Sequence, residues 1–366
     1  MSVHELALQR NKYKHLSDEE WRWFLQQVEG RERTADKLPT FAAIDDWWYP
    51  VRLSCEQCSS ELTARYKASL VSGEKMVDLT AGYGVDTYFL SEQFTHTYYV
   101  EHNTEMCKIA EHNFGLKNQE SRIKIHNTTA EEFMASAGQY DLIYLDPARR
   151  DSHGGKVFRL EDCTPNVLEL LPELLKHGKR LMLKLSPMLD ISQALNALSA
   201  VSWDVHVVAF KNEVKEVLLL SVGNGTITAI DLAELEKVFV FTREQEHNAP
   251  SSFHLSSFNF LYEPSASILK AGAYKLVAQR FGLQKLDVNT HLYASDRLIE
   301  NFPGRVWRID ESQEPRDKSQ ANVLTRNYPL TPEQLKKKYR LKDGGDTYLI
   351  GCRVNGKPTL FVAERI

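Results

Sequence analysis

The chain has 366 residues, with 45 Lys+Arg against 49 Asp+Glu for a formal charge of −4. A hydrophobic share of 42% with 26% charge is ordinary for a globular protein and excludes a fibrous or disordered chain. No apolar run reaches the roughly 18–20 residues of a membrane span, and the charged start MSVHELALQRNKYKHLSDEE holds no apolar signal core. With five cysteines, an odd number in a long chain, the expectation is a reduced, cytoplasmic protein without a disulfide framework.

Residues 1–50 read as helical. Ser17 is placed to cap a helix with Asp18-Glu19-Glu20 in its first turn, and Trp21, Phe24, Leu25 and Val28 recur at helical spacing. The cluster Trp47-Trp48-Tyr49-Pro50 reads as core packing rather than a base-stacking platform, and Glu61–Leu70 as a further helix. From Lys75 strands alternate with helices. Strands are expected at Met76–Leu79, His96–Val100, Ile123–His126, Leu142–Leu145, Arg180–Leu185, Val205–Ala209 and Val217–Val222. Helices are expected at Glu105–Phe114, Glu131–Ser136, Val167–Leu175 and Ser192–Leu198. Such alternation implies a doubly wound parallel sheet. Only Lys211–Glu216 separates the last two strands, too little for a crossover, so the last should run antiparallel.

After the turn signal Gly223-Asn224-Gly225 the pattern becomes mixed α+β. It offers a strand at Val238–Thr242, one amphipathic helix over Ser265–Phe281, and short strands at His291–Tyr293 and Val306–Ile309. A helix capped by Thr331-Pro332-Glu333 follows, then a hairpin of Tyr348–Val354 and Thr359–Ala363 around Asn355-Gly356. From His291 onward 14 Lys+Arg face 10 Asp+Glu, a balance of +4, which leaves −4 − 4 = −8 on the preceding 290 residues. A mildly basic tail suits contact with phosphates, and equally a solvated helix face.

The chemistry centres on Met76-Val77-Asp78-Leu79-Thr80-Ala81-Gly82-Tyr83-Gly84, an apolar strand ending in an acid and a small-residue turn that feeds a helix. Small residues let backbone approach a ligand at the carboxyl ends of the strands. About twenty residues later Tyr99-Val100-Glu101-His102 ends the second strand in an acid suited to ribose hydroxyls. The fourth strand ends in Asp146-Pro147-Ala148-Arg149.

Together these residues resemble the S-adenosylmethionine (SAM) methyltransferases of class I, whose seven-stranded sheet has one reversed strand. Asp78–Gly84 resembles their first motif with Thr80 in place of the first glycine, and Glu101 resembles their ribose-binding acid. Asn127-Thr128-Thr129-Ala130-Glu131 sits where the family contacts adenine, without the usual acid. Asp146–Arg149 resembles the fourth motif, (N/D)-P-P-(Y/F/W), and departs from it at Ala148 and Arg149. The stretches Tyr262–Gly272 and Leu341–Leu349 look like a bacterial methyltransferase family that carries a ferredoxin-like domain and then a C-terminal THUMP-like domain.

The expected division is an N-terminal helical region (1–52), a methyltransferase domain (53–225), a ferredoxin-like α+β domain (226–293) and a THUMP-like domain (294–366). The resemblance implies SAM as cofactor, held by Asp78, Thr80, Gly82, Gly84, Glu101, His102, Thr129 and Asp146. It implies catalysis by Asp146, Pro147, Arg149 and Lys184 on an RNA partner, tRNA or rRNA, with no metal and no membrane. Arg149 is suited to stacking on a base or to binding phosphate. The fourth motif leans towards a base amine. Lys67, Asp146, Lys184 and Glu216 also resemble in order the Lys-Asp-Lys-Glu set of ribose 2′-O-methyltransferases, and a non-catalytic RNA-binding module is the reading outside enzymes. Cys55-x-x-Cys58 has metal spacing but no second pair, the sequence offers no activating group for Cys163 at a recognisable spacing, and Lys336-Lys337-Lys338-Tyr339-Arg340 is open between an RNA-backbone contact and a solvated face.

Overall fold

A computed structural model describes residues 3–117, 121–149, 160–251, 253, 258–310 and 320–366. Arg149 is described in its backbone only, so its side chain lies outside the described residues. The chain forms two compact units: residues 1–203 with 218–223, and residues 204–217 with 224–366.

The first unit opens with helices α1 (Val3–Ala7), α2 (Asp18–Thr34), α3 (Pro39–Ala42), α4 (Arg52–Gln57) and α5 (Glu61–Ser69). Ser17 and Glu20 close the start of α2 with a reciprocal capping box, which satisfies two otherwise orphaned amides. The aromatic cluster packs as expected. Trp47 stacks on Phe41 at 4.2 Å and donates to the Tyr83 hydroxyl at 2.9 Å. Trp48 stacks on His112 at 3.7 Å, and its N–H reaches the Asn113 side chain at 2.8 Å. Leu38, Phe41, Trp47 and Tyr49 thus share one core with Met76, Tyr88, Phe89 and Phe114.

Strands β1 (Gly73–Asp78), β2 (Phe94–Val100), β3 (Ile123–His126), β4 (Leu142–Leu145) and β5 (Leu181–Leu185) alternate with α6 (Val85–Ser91), α7 (Thr104–Gly115), α8 (Ala130–Ala135), α9 (Val167–His177) and α10 (Ile191–Ala197). Neighbouring strands pair in parallel, and β4 is buried along its whole length, as a strand covered on both faces must be. The chain then reverses from β6 (Trp203–Phe210) into β7 (Glu213–Ser221). Lys211 and Asn212 both take left-handed φ, 52° and 63°, the geometry of a two-residue hairpin turn that sends β7 back antiparallel. β7 begins in the second unit and ends in the first. The first unit's order is β7-β5-β4-β1-β2-β3.

In the second unit β8 (Thr226–Asp231) runs parallel to β6, and β9 (Phe239–Thr242) runs antiparallel to β8, giving β9-β8-β6-β7. β8 and β9 follow the turn Gly223-Asn224-Gly225, and β8 pairs with β6 inside the second unit. The chain continues through α11 (Arg243–Asn248), β10 (Phe260–Pro264), α12 (Ala266–Ala271), α13 (Lys275–Phe281), β11 (Gln284–Asp287), β12 (Thr290–Ser295), β13 (Gly304–Ile309), β14 (Asn322–Arg326), α14 (Pro332–Tyr339), β15 (Thr347–Val354) and β16 (Lys357–Arg365). These strands make a second sheet, β11-β12-β10-β13-β16-β15-β14, over a core of Leu261, Leu286, Leu292, Trp307 and Ile350. The boundary expected at 293 lies inside β12. The single helix expected over 265–281 is two, because Gly272 at φ 84° caps α12 in the left-handed conformation that stops a helix. No helix among the described residues is long and apolar enough to cross a membrane.

Candidate active site

The carboxyl ends of β1, β2 and β4 converge on one loop. β1 ends in Asp78, whose side chain is fully buried. It accepts the Thr80 N–H at 3.0 Å and the Thr87 hydroxyl at 2.6 Å, bracing the loop from inside. Burial pushes this carboxyl up to about 7, against the lowering effect of those two bonds. The Thr80 hydroxyl accepts the Asp146 N–H at 2.6 Å and so ties the end of β4 to the loop.

The two loop glycines differ. Around Gly82, at φ 50°, a Cβ would meet nothing closer than 3.9 Å. At Gly84, φ 80°, it would strike the Phe114 ring at 2.9 Å. Gly84 is therefore required by packing and by its left-handed place before α6, while Gly82 leaves the backbone open to a ligand.

Glu101 follows β2 and is nearly buried. One oxygen accepts the Gly82 N–H at 3.0 Å; the other accepts the Asn103 N–H at 2.7 Å and lies 3.0 Å from Nδ1 of the exposed His102. Asn103 in turn caps α7, and Thr129 caps α8 with Glu132 in a capping box, so each strand exits directly into a helix start at the site.

A buried charged layer lies beside the loop. Lys67 of α5 is fully buried, 3.2 Å from both Asp86 Oδ1 and Ser59 Oγ. The other Asp86 oxygen accepts from the Tyr144 hydroxyl at 2.7 Å and from Ser59 at 2.8 Å. Burial alone would raise the Asp86 carboxyl, but the charges of Lys67 and Lys184 and these two bonds outweigh it and hold the group below the usual carboxylate range. Lys184 of β5 pairs with Asp146. Of the four residues resembling a Lys-Asp-Lys-Glu set, Lys184 meets Asp146, Lys67 meets Asp86, and Glu216 is buried in β7.

These residues surround a cavity of about 360 Å³. Loop residues 78–86, Glu101, His102, Thr128–Glu131 and Asp146 line it. So do Ser54, Gln57, Ser59, Thr164 and Pro165, which do not stand out in the sequence, and Cys58 and Ala148, which do. The signal at hand was the Cys55–Cys58 spacing. Its thiols, however, are pushed up by burial, Cys55 to about 12, which suits neither a metal ligand nor a nucleophile at neutral pH. Among the described residues no group of three or more His, Cys, Asp or Glu is placed to hold a metal.

A parallel sheet with one reversed strand, a glycine turn after β1 and an acid after β2 define the class I methyltransferase fold. Family models match a ferredoxin-like domain over residues 260–303 and a THUMP domain-like segment over 304–365. A crystal structure from Porphyromonas gingivalis W83, of a protein provisionally described as a methyltransferase, is 33% identical at a TM-score of 0.84 and covers 96% of this chain and 92% of that one. The chain belongs to this methyltransferase family, with its ferredoxin-like and THUMP-like domains. Two more distant structures are a provisionally described methyltransferase of Streptococcus mutans in complex with SAH and the tRNA m1G37 methyltransferase of M. jannaschii. The first is 12% identical, covering 44% of this chain and 95% of that one at TM-score 0.34; the second is 12% identical, covering 45% and 50% at 0.32. At such scores neither likeness bears on the chemistry of this chain. No curated protein matches it.

Proposed function

We propose that this protein transfers the methyl group of SAM to a base of tRNA or rRNA. The observation that carries the reading is the cavity at the carboxyl ends of β1, β2 and β4, where open backbone at Gly82 meets the Glu101 carboxylate. Its volume, about 360 Å³, falls in the range of small-ligand sites, and its donors fit the cofactor. Glu101 would accept from the ribose hydroxyls, the 128–131 turn would border the adenine, and the Thr80–Gly84 backbone would run beneath the methionine. When bound, SAM supplies a methyl group on a cationic sulfonium. The protein's part is to orient the acceptor and keep water out. Lys184 occupies one oxygen of Asp146, which leaves the other, and the Pro147 carbonyl, to receive the hydrogens of a base amine. RNA as substrate is supported by the THUMP-like match and by the basic balance of the chain's end.

Calorimetric titration with SAM tests the cofactor, and mass-spectrometric nucleoside analysis of tRNA and rRNA, with and without the gene, tests the substrate. Absence of any methylated nucleoside that depends on the gene would overturn the RNA reading. The ribose 2′-hydroxyl is the second reading, because Lys184 stands at the rim in an otherwise apolar strand. Lys184→Ala separates the two. The base reading expects a base-methylated product, whereas the ribose reading expects a 2′-O-methyl product whose formation is lost by orders of magnitude with SAM binding retained.

A further inference from the structure

Glu263, the acid of the Tyr262–Gly272 stretch, is only 1% exposed on β10. Each of its oxygens accepts from a different arginine, one from Arg305 of β13 and the other from Arg326 of β14. Arg305 lies directly across from Glu263 in the strand register. Arg326 comes from the far edge of the same sheet, which curls until Asn327 reaches the Thr290 hydroxyl at 3.4 Å.

A single bidentate arginine would satisfy one carboxylate. Two leave an excess positive charge, and their side chains stay open to solvent at 29% and 36%. Donors are also left over. Arg305 Nε is buried without an acceptor among the described residues, as is Nε1 of the fully buried Trp307, whose ring lies 5.6 Å from the Arg305 guanidinium. Those two nitrogens are closed to solvent, so an incoming anion would meet the solvent-open parts of the two guanidinium groups instead.

We propose that Arg305 and Arg326, held by Glu263, bind a phosphate group of the RNA substrate. The inference rests on RNA being that substrate. Guanidinium forks match phosphate geometry, and Glu263 fixes both forks beforehand, so little side-chain freedom is lost on binding. Glu263 lies in the ferredoxin-like segment and both arginines in the THUMP-like one, so the phosphate would be gripped where the two share a sheet.

The test uses the full chain and fluorescently labelled bacterial tRNA and fragmented rRNA, with binding read by anisotropy over a KCl series. In Arg326→Gln, Arg305 still pairs with Glu263, so the carboxylate is not orphaned. Affinity should fall roughly tenfold and the log–log salt slope should become shallower by about 0.7–0.9. Glu263→Gln removes the brace on both forks, so more side-chain freedom is lost on binding and affinity should fall by roughly threefold. A merely structural network predicts instead a lower melting temperature in both variants and unchanged RNA affinity, and that result would overturn the proposal. If the unmodified protein binds neither RNA, the RNA reading itself falls and takes this inference with it.

Discussion

Asp78→Asn should stabilise the protein at neutral and higher pH. Asp78 is fully buried, and burial lifts its carboxyl from 3.8 to about 7. Because the folded value lies above the unfolded one, the folded state holds the proton across that interval. Stability contributed by Asp78 is therefore full below about pH 4, falls as pH rises towards 7, and is level above. Asparagine keeps the shape and both bonds: its oxygen accepts the Thr80 N–H and its amide donates to the Thr87 hydroxyl. It has nothing to ionise. The gain over the unmodified protein should grow by at most ~1.4 kcal/mol per pH unit, and a shift of about three units sets a ceiling near 4 kcal/mol. Urea denaturation of both proteins from about pH 5 to about pH 8 reads the difference, and contributions from all other groups cancel. Parallel stability curves would refute the reasoning, since they would mean that folding leaves Asp78 as acidic as in the open chain. Asp78→Ala, by contrast, orphans both partners and should cost stability at every pH.

Lys67→Met removes the cation beside buried Asp86 and should cost ~3–5 kcal/mol in equilibrium unfolding, with Asp86→Asn in the same chain recovering part of the loss; an unchanged single variant would show the pair to be dispensable. Glu101→Gln keeps an acceptor for the Gly82 N–H but loses the charge, and should weaken SAM binding by about tenfold in calorimetry; an unaltered affinity removes the ribose assignment. Deleting residues 304–366 strips β10 of its β13 neighbour and uncovers Leu261, so the product should aggregate in size-exclusion chromatography rather than survive as a protein that merely binds RNA poorly.

Strand positions and the loop were legible because their signals are local. Ile123–His126 and Leu142–Leu145 are short apolar runs between turn signals, and their bounds match the structure. The break at Gly272 was also written in the sequence, as a glycine inside an apparently continuous helical pattern. Long-range matters were not legible. The balance of +4 after His291 makes the tail look separable, yet that cut runs through β12, since strand pairing joins residues that composition sees apart. Acids at strand ends read as ligands for SAM; that Asp78 is buried, with Thr80 and Thr87 turned inward to meet it, no spacing rule reveals. The α4 wall of the cavity was invisible for the same reason, because Ser54 and Gln57 carry no pattern until the fold brings them to the loop.

The docking of Trp48 on His112 and Asn113 has a consequence for synthesis of the chain. Its hydrogen-bond partner Asn113 lies 65 residues further along. At ~5–20 residues per second the ribosome needs roughly 3–13 s to cover that distance. Until Tyr83, Tyr88 and Phe89 follow, the Phe41–Tyr49 aromatic surface lacks most of its partners, and Trp48 waits longer still for Asn113, so the opening helices start as an open, adhesive segment. Slowed translation between these points would lengthen the delay, and a chaperone that binds aromatic-rich nascent chains would find its earliest client surface there.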